Sequence, residues 1–92
     1  MNLRLPKLTF TAQIFREGRQ YVSFNPELHV ASCGQTPDKA KNNLKDAIRG
    51  FLFSAHKKGS LSSILEEAGF VRQKKEWRDP SFVSLDRMTV VA

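Results

Sequence analysis

The sequence predicts an α+β fold in which an antiparallel sheet carries its helices on one face. Three observations predict this class. Three short segments with strand-like patterns come first, two segments with a helical apolar stripe follow, and a β-rich segment comes last. In the resulting order β-β-β-α-α-β, both helices can bury their stripes against one sheet. We expect the 92 residues to form a single domain, 1–92, with no added DNA-binding module.

The first strand is predicted over residues 8–15. Its apolar members, which share one face, are Leu8, Phe10, Ala12 and Ile14. Polar residues occupy the other face, as is typical of a half-buried strand. Leu3 and Leu5 continue the pattern, although Pro6 places them at a sheet edge or before the strand proper. Gly18 accepts a positive φ without steric cost, so a tight hairpin is expected there.

Two further strands are predicted over residues 21–24 and 28–33. The segment 25–27 separates them, because Pro26 has no N–H to donate to a strand ladder. Cys33, near the end of the third strand, is interpreted as a small buried hydrophobe. The chain is therefore expected to open as a meander of three antiparallel strands.

A long helix is predicted to begin after Thr36. Thr36 can cap it, Pro37 suits its first position, and Asp38 complements the helix dipole. The apolar residues that follow at spacings of three and four are Ala40, Leu44, Ala47, Ile48, Phe51, Leu52 and Ala55. The basic residues that lie off this stripe are Lys39, Lys41, Lys45 and Arg49. Gly59 is well placed to end the helix.

A shorter helix and a last strand are predicted in the remaining sequence. Ser60 can cap the second helix, and Gly69 can stop it. Its apolar residues are Leu61, Ile64, Leu65 and Ala68. Residues 72–78 are interpreted as a polar, basic stretch, and a turn follows at 79–80. Residues 82–91 predict a strand whose apolar phase shifts near its middle, which allows a bulge or burial on both faces.

The composition predicts a globular cytoplasmic protein whose fold is stabilised by a partner. Hydrophobic residues make up 40% and charged residues 26%, as in globular domains. With one cysteine and no apolar run of about 18 residues, nothing is expected to span a membrane, and a reducing cytoplasm is the simplest compartment. A thin core and seven Phe favour an interface, in a homodimer, a larger homo-oligomer or a complex. The net charge of +6 favours nucleic acid or an acidic protein surface as the partner.

The segment between residues 21 and 48 carries a family resemblance. A tyrosine strand leads to a Pro-Glu-Leu turn, a Gly-x-Thr helix entry and an Asn-Leu-x-Asp-Ala segment of the helix. The positions are Tyr21, Pro26, Glu27, Gly34, Thr36, Asn43 and Leu44. In the joint spacing of these motifs, which covers roughly a third of the chain closely, the sequence resembles the HicB-like antitoxin family.

The resemblance implies a partial ribonuclease-H-like fold, in which a helix crosses three antiparallel strands and a further strand follows. It also implies a function, because such proteins typically bind and block a small toxin that cleaves mRNA, and they commonly form dimers or larger assemblies. Three features of this chain differ from the family pattern. No C-terminal ribbon-helix-helix or helix-turn-helix module, which many members carry, is expected after the last strand. Lys39 follows Asp38 where an acidic pair is often found, and the net charge is basic where an acidic one is expected.

The distribution of carboxylates argues against an enzyme. A ribonuclease-H-like nuclease needs several carboxylates that converge on metal ions. The acidic residues are Glu17, Glu27, Asp38, Asp46, Glu66, Glu67, Glu76, Asp79 and Asp86. Most are predicted in turns, caps or exposed helix faces, so we expect no catalytic residue, metal ligand or cofactor. Cys33 with His29 or His56 lacks an orienting third residue and does not match a zinc spacing.

Two groups of residues are candidates for binding a partner. Glu27 either hydrogen-bonds its own turn or meets a cationic toxin surface. The basic stretch near the single tryptophan is either a nucleic-acid patch with a stacking platform or a solvated loop whose Trp packs on the core. Its residues are Arg72, Lys74, Lys75, Trp77 and Arg78. The basic residues of the first helix share this ambiguity.

The sequence therefore leads to two functional hypotheses. The first is a HicB-like antitoxin that binds and neutralises a small mRNA-cleaving HicA-like toxin by occluding its surface. The second is a dimeric nucleic-acid-binding regulator that uses a basic face and has no toxin partner. Salt separates them, because counterion release weakens nucleic-acid binding by ~10³-fold or more between roughly 50 and 200 mM salt.

Overall fold

Three antiparallel strands open the fold, in the spatial order β1-β2-β3. The computed structural model describes residues 7–91, so Leu3 and Leu5 lie outside the described residues. The strands are β1 (Gln13–Glu17), β2 (Gln20–Asn25) and β3 (Val30–Gly34). Gly18 adopts a φ of 63° in the turn between β1 and β2, which confirms the predicted hairpin.

The ladder of β1 begins at Gln13 and not at residue 8, where the sequence predicts it. Ahead of β1, side chains hold the main chain of Thr11. Its N–H donates to Glu27 Oε1 at 2.7 Å, and its carbonyl accepts from Asn25 Nδ2 at 2.8 Å. The turn after β2 therefore supplies, through two side chains, the hydrogen bonds that a neighbouring strand would supply.

Both predicted helices are present, as α1 (Pro37–Lys57) and α2 (Leu61–Glu67). Thr36 caps α1, because its Oγ1 accepts from the N–H of Lys39 at 3.0 Å. Gly59 and Gly69, with φ of 76° and 99°, follow the two helix ends as predicted. Ser60 precedes α2 without capping it by its side chain, whose Oγ donates to the Ala55 carbonyl at 3.4 Å. Neither described helix is long and apolar enough to cross a membrane.

The core lies where α1 crosses β2 and β3 and meets α2. Its buried hydrophobic residues are Ala40, Leu44, Ile48, Ala55, Leu65 and Phe70. Four of them belong to the predicted stripe of α1, whereas Phe51 of that stripe is 38% exposed. The rings of Phe10 and Phe70 lie 5.3 Å apart, so the segment ahead of β1 also packs against the helical layer.

Residues 71–78 form a hairpin, which refines the predicted polar stretch. β4 (Val71–Gln73) and β5 (Glu76–Arg78) pair antiparallel in a separate two-stranded sheet. Lys74 and Lys75 make the turn, with Lys74 at a φ of 55°. Three-residue strands are too short for a period-2 pattern to be recognised, and two lysines are not a favoured hairpin turn.

Residues 82–91 do not form the predicted last strand, which is a correction to the expected order. Within the described part of the chain they pair with no strand. The physical reason is that these residues make no ladder hydrogen bond: residues 85–88 line a cleft beside residues 12–15, and no described main-chain hydrogen bond crosses it. The Cα radius of gyration is 15.1 Å, against about 12 Å for a compact domain of this length. This segment accordingly adds length and little core.

Candidate partner-binding face

The register of the three-stranded sheet sorts its side chains onto two faces. α1 covers the face that carries Ser23, whose Oγ donates to the Ala40 carbonyl at 2.7 Å. Residues that pair across strands share a face, as do residues two apart along a strand. The opposite face, called here the open face, consists of Gln13, Phe15, Glu17, Gln20, Val22, Phe24, Ala31 and Cys33.

The centre of the open face is apolar and reaches solvent. Phe15, Val22 and Cys33 pair in one row across the strands, and Phe24 and Ala31 pair in the next row. Phe15 is 51% exposed, and Val22 and Phe24 are half-buried. Among the described helices and strands, only α1 packs on this sheet. An apolar sheet face with no covering layer is a candidate interaction surface.

Cys33 is exposed, which corrects its predicted burial. The main chain of Cys33 is fixed from the helix, because Asn43 Nδ2 donates to its carbonyl at 2.8 Å. Its side chain, in contrast, belongs to the row that alternates away from α1. Sequence reasoning missed the open face for the same reason: the alternation in β1 and β2 was visible, but not which of its two sides the helix would cover.

The open face carries almost none of the positive charge of the chain. Glu17 is its one charged residue, whereas the chain has fifteen Lys and Arg against nine Asp and Glu. Lys41 and Lys45 lie on α1 and line a cleft against residues 8–12. Arg49 of the same helix pairs with Asp46 at 3.2 Å. Ten of the fifteen Lys and Arg lie on α1 and its C-cap or in residues 71–78, whereas Arg16 and Arg19 lie at the β1–β2 hairpin, beside the open face.

The predicted basic patch is brought together on the β4–β5 hairpin. Arg72 and Trp77 are cross-strand partners, and the guanidinium of Arg72 lies 5.9 Å from the centre of the Trp77 ring. Trp77 is half-buried, while Lys74, Lys75 and Arg78 are exposed. The Trp77 ring thus already has a cation near it from its own hairpin.

The family-motif positions lie mainly at the joint between sheet and helix. Gly34 passes so close to α1 that a Cβ there would lie 2.5 Å from the Ala40 nitrogen. Thr36 caps the helix, Asn43 ties it to β3, and Leu44 is 1% exposed in the core. The other positions lie in β2 or the turn after it; they are Tyr21, Pro26 and Glu27. These residues build the scaffold behind the open face and do not line its apolar centre.

The titratable and nucleophilic groups are dispersed over the fold. His29 lies in the turn between β2 and β3, at a φ of 57°, with its ring 6.1 Å from that of Phe24. His56 lies in the last turn of α1. Within residues 7–91, no group of three or more His, Cys, Asp or Glu is arranged to hold a metal ion.

No protein-family model, curated protein or solved structure matches this chain. The interpretation of the open face therefore depends on its own geometry and charge.

Proposed function

We propose that this chain is an antitoxin-type binding protein that neutralises a small mRNA-cleaving toxin by covering its surface with the open face. One observation carries the proposal: the apolar open face has no helix on it and no lysine or arginine in it. A toxin that binds RNA is expected to present cations at its active surface. A binding surface for such a toxin has to be free of cations at its centre.

The open face resolves the conflict between the basic composition and a cationic partner. Glu17 at the end of β1 is the only charge within it. The cations of α1 stand on the opposite side of the sheet. Charges separated by more than ~8 Å are largely screened at physiological ionic strength, so a partner on the open face is largely shielded from them.

Phe15 is the expected anchor of the interface. It is 51% exposed at the edge strand, and its row continues through Val22 to Cys33. Aromatic side chains that become buried at the centre of an interface contribute about 2–4 kcal/mol each when measured by truncation. The polar residues Gln13, Glu17 and Gln20 lie around this row and correspond to an interface rim.

The test uses the tagged full chain to capture partners from its native host after nuclease treatment. The expected product is a small basic protein that arrests growth when expressed alone and no longer does so when this chain is co-expressed. Phe15→Lys is expected to weaken capture at least about tenfold and to abolish the growth rescue.

Phe53→Lys is the matched control. Phe53 is exposed to a similar degree, 47% against 51%, but it lies on α1, where Lys57 stands 5.5 Å from its ring. Equal capture by the wild type and Phe53→Lys, with loss in Phe15→Lys, supports the open face. Equal loss in both variants, or a captured protein that leaves growth unaffected, contradicts the proposal.

A second candidate function is nucleic-acid binding, favoured by one arrangement on α1. Lys41, Lys45 and Arg49 are spaced four residues apart, which places them along one flank of the helix. Lys7 lines the same cleft as Lys45 and Arg49. Fluorescence anisotropy with labelled RNA and duplex DNA, measured over a salt series, tests this function. A steep loss of binding with salt that Lys41→Glu and Lys45→Glu abolish would favour it over the toxin hypothesis.

A further inference from the structure

The outer edge of β1 has no ladder partner within the described residues. β1 pairs with β2 on one side and with no strand on the other. The strand Gln13–Glu17 contains neither proline nor glycine. Among the described helices and strands, it contacts only β2 and α1. Natural proteins usually protect such an edge, because its unpaired N–H and C=O groups can pair with another strand.

The segment 82–91 has the character of a strand without a sheet. Its large apolar side chains are mostly in solvent: Phe82, Val83, Leu85, Met88, Val90 and Val91 are 60–96% exposed. Its one described side-chain hydrogen bond is local, from Ser84 Oγ to Asp86 Oδ2 at 2.7 Å. Valine, leucine and threonine in this density favour strands, and no proline or glycine follows Pro80. So much exposed apolar surface is costly for a single chain.

The two features face each other across open clefts. Residues 85–88 and residues 12–15 line one cleft of about 480 Å³. Residues 81–84 line a second cleft, of about 360 Å³, together with Thr9 and Thr11. The segment therefore runs beside the β1 edge in the same direction as β1, and no described main-chain hydrogen bond joins the two. The Thr9 N–H donates to Asp79 Oδ1 at 3.0 Å and anchors the start of the segment.

We propose that residues 82–91 pair as a parallel strand with the β1 edge of a second copy of this chain, so that two copies exchange these segments. Exchange costs the single chain little, because the segment makes no ladder hydrogen bond to its own sheet and the Asp79 anchor precedes it. In an extended strand, odd and even positions lie on opposite sides. Val83 and Leu85 would therefore lie on one side, and Phe82 and Met88 on the other. A strand that carries apolar residues on both sides buries more of them between two copies than at the rim of one three-stranded sheet.

This inference does not depend on the proposed function. The exchanged strand adds to the edge of the sheet, and the cleft that it would fill includes Gln13 and Phe15 at the border of the open face. Two copies joined in this way would still present the part of each open face that lies on β2 and β3, with Val22, Phe24 and Cys33.

The test distinguishes exchange between chains from closure within one chain. In a Cys33→Ser background, Gln13→Cys is placed in one full-length chain and Arg87→Cys in a second chain with a distinguishable tag. The two proteins are mixed, equilibrated and treated with a short bismaleimide. The expected product contains both chains, at twice the 10.5 kDa mass of one chain. Ser63→Cys, exposed on α2, replaces Arg87→Cys in the control and is expected to give no such product.

Two results would overturn the proposal. One is a bridge that forms only inside a chain carrying both cysteines, which would mean that the segment closes on its own β1. The other is no bridge of either kind, which would mean that the segment does not reach β1. Leu85→Asp supplies an independent readout, since it is expected to weaken dimerisation at least about tenfold in sedimentation equilibrium while helical circular dichroism is retained. An unchanged dimer in Leu85→Asp would also contradict exchange.

Discussion

Ser23 Oγ donates a hydrogen bond of 2.7 Å to the carbonyl of Ala40, and both residues are 0% exposed. This bond joins the middle of β2 to the first turn of α1. Gly34 of β3 makes the closest backbone approach beside it, against the main chain of Lys39 and Ala40. The position of α1 on the sheet, and therefore which face stays open, depends on this joint.

Ser23→Ala is expected to destabilise the protein by about 0.5–1.5 kcal/mol, because one buried hydrogen bond is lost while the Ala40 carbonyl keeps its place in the helix ladder. Ser32→Ala is the matched control. Ser32 pairs with Ser23 on the same face and is half-buried, so a change within about 0.5 kcal/mol is expected. Urea unfolding at one fixed protein concentration measures both. Equal effects would mean that the Ser23 bond contributes nothing of its own.

Gly34→Ala is expected to cost about 1–3 kcal/mol. A Cβ at this position would lie 2.5 Å from the Ala40 nitrogen and 2.8 Å from the Lys39 carbonyl carbon, so the start of α1 has to move. Gly50→Ala, in the middle of α1, meets nothing within 4 Å and is expected to stabilise by up to about 1 kcal/mol. Thermal unfolding of the two variants should therefore shift in opposite directions. A shift of Gly34→Ala to higher temperature would refute the close approach.

Glu27→Ala is expected to destabilise by about 1–3 kcal/mol, because its Oε1 accepts from both the Thr11 N–H and Asn25 Nδ2. Glu17→Ala, at the exposed end of β1, is expected to change stability by less than about 0.5 kcal/mol. Hydrogen exchange at the Thr11 amide reports the local effect, with faster exchange in Glu27→Ala alone. Unchanged exchange at the Thr11 amide would contradict the structural role of Glu27 and leave partner binding as its expected role.

Lys74→Gly is expected to stabilise the β4–β5 hairpin by about 0.5–1 kcal/mol, because Lys74 holds a φ of 55° that glycine adopts without steric cost. Lys75→Gly removes the same charge but relieves no positive φ. It is expected to destabilise the hairpin, because glycine raises the conformational entropy of the unfolded chain. The fluorescence of the single tryptophan, Trp77, follows both variants during unfolding. Destabilisation in Lys74→Gly would contradict the hairpin geometry.

The features that the sequence predicted well are those encoded by a residue and its immediate neighbours. Thr36 caps α1 through the N–H three residues later, and Gly59 and Gly69 take positive φ after the helix ends. Gly18 does the same in the first hairpin. Each of these signals acts within one turn of chain, so it does not depend on how the elements pack.

The features that the sequence did not predict depend on distant parts of the chain. The main chain at Thr11 is held by Glu27 and Asn25, so it forms no ladder despite its alternating pattern. Residues 82–91 have strand composition but make no ladder hydrogen bond within the described part of the chain. Cys33 is exposed because α1 covers the other side of β3. Residue composition and the alternation of apolar residues do not determine which face of a strand packs against which element.

The central claim is that the open face binds the partner, and alkylation of Cys33 tests it most directly. Cys33 is the single cysteine of the chain, and it is exposed in the central row of the open face. Its reaction rate with a maleimide is measured for the free chain and for the complex with the captured partner. Ser62→Cys in a Cys33→Ser background provides the control, because Ser62 is exposed on α2.

The account predicts that bound partner slows alkylation of Cys33 at least about tenfold, as expected for a thiol at the dry centre of an interface, and leaves the control cysteine unaffected. An unchanged rate at Cys33 in a saturated complex would place the partner elsewhere on the protein and contradict the account.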